Sequence, residues 1–160
     1  MEKITREQFV SYLNTTPTGE NETWSLLGIG ITSYGIAYNP QVTTEKWIIH
    51  KSATSSLDSY QRQGDVSQKC YKGDAVFEYV NEIRRKNGIG AEVQTSVLDI
   101  DRYDSTVEGT FKATKSDVII AITNYMAEDA VIEYTIYYNG DPKQGTVTFA
   151  DEVPTFVETV

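Results

Sequence analysis

The apolar residues of the chain repeat at a helical interval most clearly in one segment. In YKGDAVFEYVNEIRRKNG, residues 71–88, they recur three or four positions apart and form one stripe: Val76, Phe77, Val80 and Ile83. Asp74 is a suitable N-cap, and Asn87 with Gly88 ends the pattern. The pattern therefore predicts an amphipathic helix over about residues 74–86.

The segments after this helix alternate between apolar and polar residues with the two-residue period of β-strands. In residues 131–138 the side chains predicted to face a core are Ile132, Tyr134, Ile136 and Tyr138. The alternation changes phase between Val97 and Leu98, which predicts a β-bulge or a strong bend there. The turn-forming residues of NGDPKQG, 139–145, predict a hairpin loop.

The first 23 residues are predicted to be an arm attached to a β domain. A short helix is expected over about residues 6–13, with Thr5 and Gln8 as a capping box. Residues 14–23, NTTPTGENET, indicate an exposed connection. The predicted organisation is an N-terminal arm with a short helix (1–23), a β domain (24–150) and a C-terminal tail (151–160).

Residues 59–71, SYQRQGDVSQKCY, are mostly polar and have little to bury on either face of a strand. Such a strand is either held by its neighbours or wet on at least one face. A wide barrel that faces water would accommodate it. The segment therefore predicts a strand in a sheet that faces water on at least one side.

The composition fits one water-soluble domain of 160 residues, and the formal net charge is −9. This charge excludes nucleic-acid binding that depends on neutralising phosphates with a basic face. The single cysteine excludes an internal disulfide. The N-terminus lacks the apolar core of a signal peptide, and no apolar run is long enough to span a membrane, so we expect synthesis and folding in a cytoplasm.

The sequence offers no convincing catalytic or metal-binding group. His50 is the single histidine, and Cys70 has no base at a meaningful spacing, so neither forms a nucleophilic site by sequence logic. Asp99 and Asp101 have the D-x-D spacing of a calcium loop, but its glycine and distal glutamate are missing. We therefore expect no enzyme activity, cofactor or metal, and a binding or structural role is favoured.

Residues 39–83 resemble the middle of the major tail protein, or tail tube protein, of tailed bacteriophages of Gram-positive hosts. An N-P-x-x-x-x-E-x-W-I pattern spans residues 39–48, and an A-T-S tract begins at Ala53. A polar strand follows, and KGDAVFEYV, residues 72–80, then opens a helix with a basic end. The KGD segment is the most specific part of the resemblance, which extends in layout over residues 24–150.

The resemblance implies a mainly β, tail-tube-like fold of packed antiparallel sheets with one flanking helix. Six subunits would close into a ring around a channel, and the rings would stack into a tube that conducts DNA without binding it specifically. The expected partners are copies of the chain itself and other tail proteins, such as the tape measure and the terminator. The expected location is the virion tail, after synthesis in the cytoplasm of the host bacterium.

The resemblance also implies roles for particular residues. Residues 43–58 match a hairpin that reaches the next ring, and the candidates for contacts between rings or subunits are Glu45, Lys46, Trp47, Ile48, Ile49 and Phe156. The open alternative is that the three apolar residues 47–49 are buried in their own subunit. Acidic candidates for the lumen are Asp65, Asp99 and Asp101, and the residues of a helical brace for the barrel wall are Asp74, Val76, Phe77, Val80 and Ile83.

A second hypothesis assigns the chain to a different class. A β-sandwich that binds carbohydrate or acts as an adhesive module would use its tyrosines and tryptophans to stack on sugars. Most adhesive modules are secreted, so the missing signal-peptide pattern counts mildly against this hypothesis.

Overall fold

The computed structural model describes residues 1–159, with all of their side chains except that of Thr106. The helical elements are a 3-10 turn at Arg6–Gln8, helix α1 at Ala75–Lys86 and a 3-10 turn at Gly90–Val93. The strands are β1 Phe9–Asn14, β2 Trp24–Leu26, β3 Ile36–Ala37, β4 Pro40–Glu45, β5 Thr54–Tyr60, β6 Gln63–Lys69, β7 Gln94–Val107, β8 Thr110–Met126, β9 Val131–Ala150 and β10 Val153–Glu158. The predicted mainly β fold with one α-helix is confirmed.

One antiparallel sheet contains most of the strands, in the order β2-β1-β7-β8-β9-β6-β3. β8 and β9 are its longest members, with 17 and 20 residues. The N-terminal half of β9 pairs with β6, and its C-terminal half pairs with β10. β4 and β5 form a separate two-stranded sheet, which we call the projecting hairpin.

The first hydrophobic core lies between α1 and one face of the main sheet. Val76 and Val80 are fully buried there, Ile83 is nearly so, and Phe77 packs against the margin. The sheet contributes Val66, Val97, Val118, Ile120, Ile132, Tyr134 and Ile136 to the same cluster. Each fully buried side chain of this size stabilises the fold by about 1.5–3 kcal/mol, so the predicted apolar stripe holds the helix on the sheet.

The second core lies on the opposite face of β1 and β7. Its buried members are Tyr12, Leu98, Ile100, Ala113 and Val147, with Val10, Trp24, Phe111, Phe149 and Phe156 packed around them. The rings of Tyr12 and Phe149 are 6.1 Å apart, although β1 and β9 are not neighbours in the sheet. The sheet therefore bends towards this face.

The two cores explain the change of phase near Val97, where the predicted bulge is wrong. Leu13 pairs with Val97 and Tyr12 pairs with Leu98, and the register of β7 with β8 is regular from Gln94 to Asp101. Successive side chains of a strand point to opposite faces. Val97 thus enters the first core and Leu98 enters the second, so the pattern changes because the strand is buried on both faces.

The N-terminal segment forms a strand where a helix was predicted. The capping box of Thr5 and Gln8 is present, but it opens only the single 3-10 turn. Phe9–Asn14 then pairs with both β2 and β7 and is buried at its C-terminal end. Because Tyr12 and Leu13 fill different cores, a strand inside the sheet buries more apolar surface than a helix on its surface, and the prediction of a separate arm is wrong for these residues.

Two further predictions also need correction. The polar segment 59–71 contains β6, whose Gly64, Val66 and Gln68 are buried while Asp65 and Ser67 are exposed; the expected wet face is confirmed, but the other face is not wet. Residues 139–145 form no hairpin loop. They interrupt the register within β9, because β8 is long enough to pair with β9 on both sides of the irregularity.

Gly145 gives a direct test of how β10 is attached. A Cβ atom at this position would meet the carbonyl oxygen of Val157 and would lie 2.5 Å from a ring carbon of Phe156. We expect Gly145→Ala to displace β10 and to accelerate amide exchange in Val153–Glu158, with a loss of stability of about 1–3 kcal/mol. Gly35→Ala is the control, since a Cβ there has open space. Unchanged exchange in β10 would contradict this packing.

Candidate functional site

The projecting hairpin carries an apolar tip that its own chain does not cover. Every residue of β4 and β5 is exposed. At the tip, the exposed fractions of Trp47, Ile48 and Ile49 are 60%, 103% and 77%. The alternative that these three side chains are buried in their own subunit is therefore wrong. A cluster of this kind on a projecting element marks a contact surface.

The tip has little internal support. The indole of Trp47 stacks on the ring of His50, with centroids 5.8 Å apart, and the backbone amide of His50 donates to the carbonyl of Trp47 at 3.0 Å. Glu45 approaches the indole nitrogen at 3.5 Å, and Lys46 is exposed. His50 thus lies in the turn beside an aromatic ring and not in a catalytic arrangement.

The face of β6 and β9 that lies opposite α1 is polar. Asp65 and Ser67 of β6 pair with Thr135 and Glu133 of β9, so these side chains lie side by side on one face. The hydroxyl of Thr135 donates to the Asp65 carboxylate at 2.7 Å. This polar sheet face is solvated at β6, where Asp65 and Ser67 are exposed, while Thr135 of β9 is buried.

Asp99 and Asp101 do not share a face with Asp65. They have the same parity as Val97 on β7, which places them on the side of the sheet that carries α1. Burial raises the pKa of Asp99, while hydrogen bonds from Ser11 and Tyr138 oppose the rise. Burial and the nearby Asp104 also raise the pKa of Asp101. The three candidates for the lumen therefore do not share one side of the sheet, and which of them face a channel stays a prediction.

Phe156 is placed differently from the other contact candidates. It packs against the second core on β10, paired with Val147 of β9, and is only partly accessible. Its neighbour Val157 points the other way and is 60% exposed. The structure thus gives Phe156 a role within its own subunit.

A buried polar cluster below α1 was not predicted from the sequence. The side chain of Gln68 is fully buried, and its amide donates to the Asp74 carboxylate at 2.7 Å and to the carbonyl of Ile29 at 3.0 Å. The hydroxyl of Tyr134 donates to the Gln68 oxygen at 2.8 Å. Burial raises the pKa of Asp74, the residue at the N-cap position of α1. One signal in the sequence could have indicated this burial: Gln68 lies two residues after Val66 and therefore points to the same face of the strand.

Neither Cys70 nor the acidic side chains form a reactive or metal-binding site in the described residues. Burial raises the pKa of the Cys70 thiol, which disfavours the reactive thiolate. Among residues 1–159, no group of three or more histidine, cysteine or acidic side chains is placed to hold a metal ion. In the same part of the chain, no helix is long and apolar enough to cross a membrane.

This arrangement of strands with one helix defines a tail-tube-like β fold, and two solved assemblies contain chains that share it. A chain of the tail of an empty GTA particle, refined with C6 symmetry, matches with a TM-score of 0.59 and 10% identity over 92% of this chain and 100% of that one. A chain of the sheath/tube terminator of PVC, an extracellular contractile injection system in its extended state, matches with a TM-score of 0.51 and 11% identity. That match covers 90% of this chain and 97% of the other.

No protein-family model and no curated protein sequence matches the chain. At 10% and 11% identity, the two structural matches establish a common fold. Both matched chains belong to tail or injection assemblies.

Proposed function

We propose that the chain is a structural tail protein whose copies form stacked hexameric rings, as in the tail tube of a bacteriophage of Gram-positive hosts. The observation that carries the proposal is the projecting hairpin, whose apolar tip stays exposed in the described residues 1–159. The fold that bears it is shared with a chain of a tail refined with C6 symmetry. An exposed apolar tip on an assembly fold is best explained by contact with another copy.

The tip of the hairpin would be the contact between successive rings. Trp47, Ile48 and Ile49 together offer an aromatic anchor with two aliphatic neighbours, which is the composition typical of an interface centre. Glu45 and Lys46 lie beside this centre and would form its polar rim. The hairpin would therefore reach into the neighbouring ring, with the apolar residues buried only after assembly.

The polar sheet face would line the bore of the tube. Asp65 is the acidic candidate that remains, since it is exposed on the side of the sheet opposite α1. Helix α1 would brace the other side of this wall through Val76, Val80 and Ile83. With a net charge of −9 in each copy, such a tube would repel DNA and let it pass without sticking.

The proposed function also implies where the protein is found in the virus particle and which proteins it contacts. It would be made in the cytoplasm of the host bacterium and would end in the virion tail, in contact with copies of itself. Other tail proteins, such as the tape measure and the terminator, would meet the inside and the end of the tube.

The assembly state of the purified protein at increasing concentration tests the proposal. We expect sedimentation velocity to show growth from monomers to large species as the concentration rises, and negative-stain images to show hollow tubes or six-fold rings. A strict monomer at high concentration that binds a glycan in an array would contradict the proposal and would favour the adhesive module.

A further inference from the structure

The projecting hairpin is joined to the main sheet at a break in strand pairing. β3 and β6 pair at Ala37 and Gln63, and pairing resumes between Pro40 and Tyr60. We call the intervening residues, 38–39 and 61–62, the hinge. Asn39 has a φ of +46°, and its side-chain amide donates to the carbonyl of Gln61 at 3.0 Å. The backbone amide of Gln61 also donates to the carbonyl of Tyr38 at 3.0 Å. The direction of the hairpin therefore depends on how these few residues are held.

A chain of hydrogen bonds reaches from β1 and β7 towards the hinge. The hydroxyl of Ser11 donates to the Asp99 carboxylate at 2.6 Å, and the hydroxyl of Tyr138 donates to its other oxygen at 3.3 Å. The hydroxyls of Tyr138 and Tyr34 are 2.6 Å apart. We call these four residues the relay. It links three strands to the segment that leads into β3.

The relay contacts the hinge at Arg62 and the start of β6 at Gly64. The backbone amide of Tyr138 donates to the carbonyl of Arg62 at 3.0 Å, and the Arg62 guanidinium lies 4.8 Å from the centre of the Tyr138 ring. The ring of Tyr34 lies on Gly64, where a Cβ atom would be 2.5 Å from a ring carbon. Tyr34 is therefore seated against β6, one residue from the strand end that begins the hinge.

We propose that Asp99 is a positioning residue for the projecting hairpin, because it fixes Tyr138 and Tyr34 and through them the hinge. The proton inventory supports this role. Tyr138 has one hydroxyl proton, and when the Asp99 carboxylate accepts it, the hydroxyl of Tyr34 must donate to Tyr138. The ionised carboxylate thus gives the relay a single direction. The consequence for assembly rests on the proposed function; the effect on the hinge does not.

The surroundings of Asp99 make the relay dependent on pH. Tyr34, Tyr138 and Arg62 face it across the cleft between the two ends of the sheet, and Asp101 and Arg6 line the same cleft. Burial raises the pKa of Asp99 above its ordinary range, against the opposing effect of its hydrogen bonds. A protonated Asp99 carries a donor of its own, so the fixed direction of the relay is lost as the pH falls through this pKa.

The raised pKa also sets the sign of the stability effect. A carboxyl group whose pKa is higher in the folded state contributes stability below its unfolded pKa, and that contribution is lost as the pH rises through the folded value. The side chain introduced by Asp99→Asn cannot ionise, so the variant does not lose this stability at neutral pH. We therefore expect Asp99→Asn to retain global stability at neutral pH while the hinge becomes less ordered, a combination that a merely structural role would not produce.

Amide exchange of the monomeric protein, measured by mass spectrometry, tests the proposal. We expect peptides that cover residues 32–39 and 61–64 to exchange about fivefold faster in Tyr34→Phe and in Asp99→Asn, as for the loss of one hydrogen bond. Asp101→Asn is the matched control at pH 8, because it makes the same charge change on the same strand and in the same cleft, and Asp101 has no hydrogen bond to the four relay residues. It should exchange like the original protein.

Amide exchange measured at several pH values distinguishes an effect of the ionised Asp99 from a general loosening of the structure by the substitution. We expect the difference between the original protein and Asp99→Asn to be full at pH 8 and to vanish as Asp99 is protonated; comparing the two at each pH cancels the intrinsic exchange rate. Equal exchange of the hinge in the original protein and both relay variants would overturn the proposal. If the original protein does not form tubes, the proposed function fails, and the exchange result still decides the relay.

Discussion

Replacement of Trp47 and Ile48 by aspartate together is expected to abolish tube formation and leave a folded monomer. Burial of a large apolar side chain contributes about 1.5–3 kcal/mol. The loss of two such contacts would raise the concentration needed for assembly by at least about 100-fold. The side chains make no contribution to either hydrophobic core, so the fold should be unaffected.

A matched substitution distinguishes this effect from a general change of surface charge. Ile89→Asp introduces one aspartate at a large apolar residue outside the hairpin whose exposed fraction, 77%, lies between those of Trp47 and Ile48. Sedimentation velocity and circular dichroism should show a folded monomer for the hairpin variant and normal assembly for Ile89→Asp. Tubes from the hairpin variant at the usual concentration would show that the tip is not the contact between rings.

Gln68→Ala is expected to give a large loss of stability for a substitution on a polar strand. The side chain is fully buried, and its removal leaves the Tyr134 hydroxyl and the carbonyl of Ile29 without this partner and takes one hydrogen bond from the Asp74 carboxylate. Each stranded buried group costs about 1–3 kcal/mol, so the free energy of unfolding should fall by about 3 kcal/mol. Urea denaturation measures this change directly.

Ser67→Ala provides the control for this prediction. Ser67 is the neighbour of Gln68 on the same strand, but its side chain is exposed on the polar sheet face. Its substitution should change stability by less than about 0.5 kcal/mol. A loss below about 1 kcal/mol for Gln68→Ala would mean that water replaces the glutamine and that the cluster does not hold α1 to the sheet.

The sequence is sufficient to predict elements whose signals are local. Helix α1 has an N-cap, a single apolar stripe and a left-handed Asn87 at its end, and the structure contains it at Ala75–Lys86. The hairpin tip could also be singled out from the sequence. Trp47, Ile48 and Ile49 are three consecutive large apolar residues, and the first two belong to the N-P-x-x-x-x-E-x-W-I segment that resembles tail tube proteins. In both cases the decisive residues are close together in the chain.

The errors concern residues whose environment is set by distant strands. Phe9–Asn14 looked amphipathic, but β2 and β7 pair with it on its two edges and make it a strand inside the sheet. Gln68 looked solvated, but Tyr134, 66 residues away, satisfies its oxygen under the helix. The sequence also does not reveal that Asp99 and Asp65 lie on opposite sides of the sheet, with Asp99 accepting a hydrogen bond from Tyr138. Pairing between segments that lie far apart in the chain decides these positions, and no local pattern contains that information.

Cryo-electron microscopy of the assembled protein tests the central claim most directly. The account predicts a tube of stacked six-fold rings in which Trp47 and Ile48 of one ring are buried against the next, with Asp65 facing the bore and α1 outside the wall. A tube in which the hairpin tip remains in solvent and the polar sheet face of β6 points outward would contradict the account.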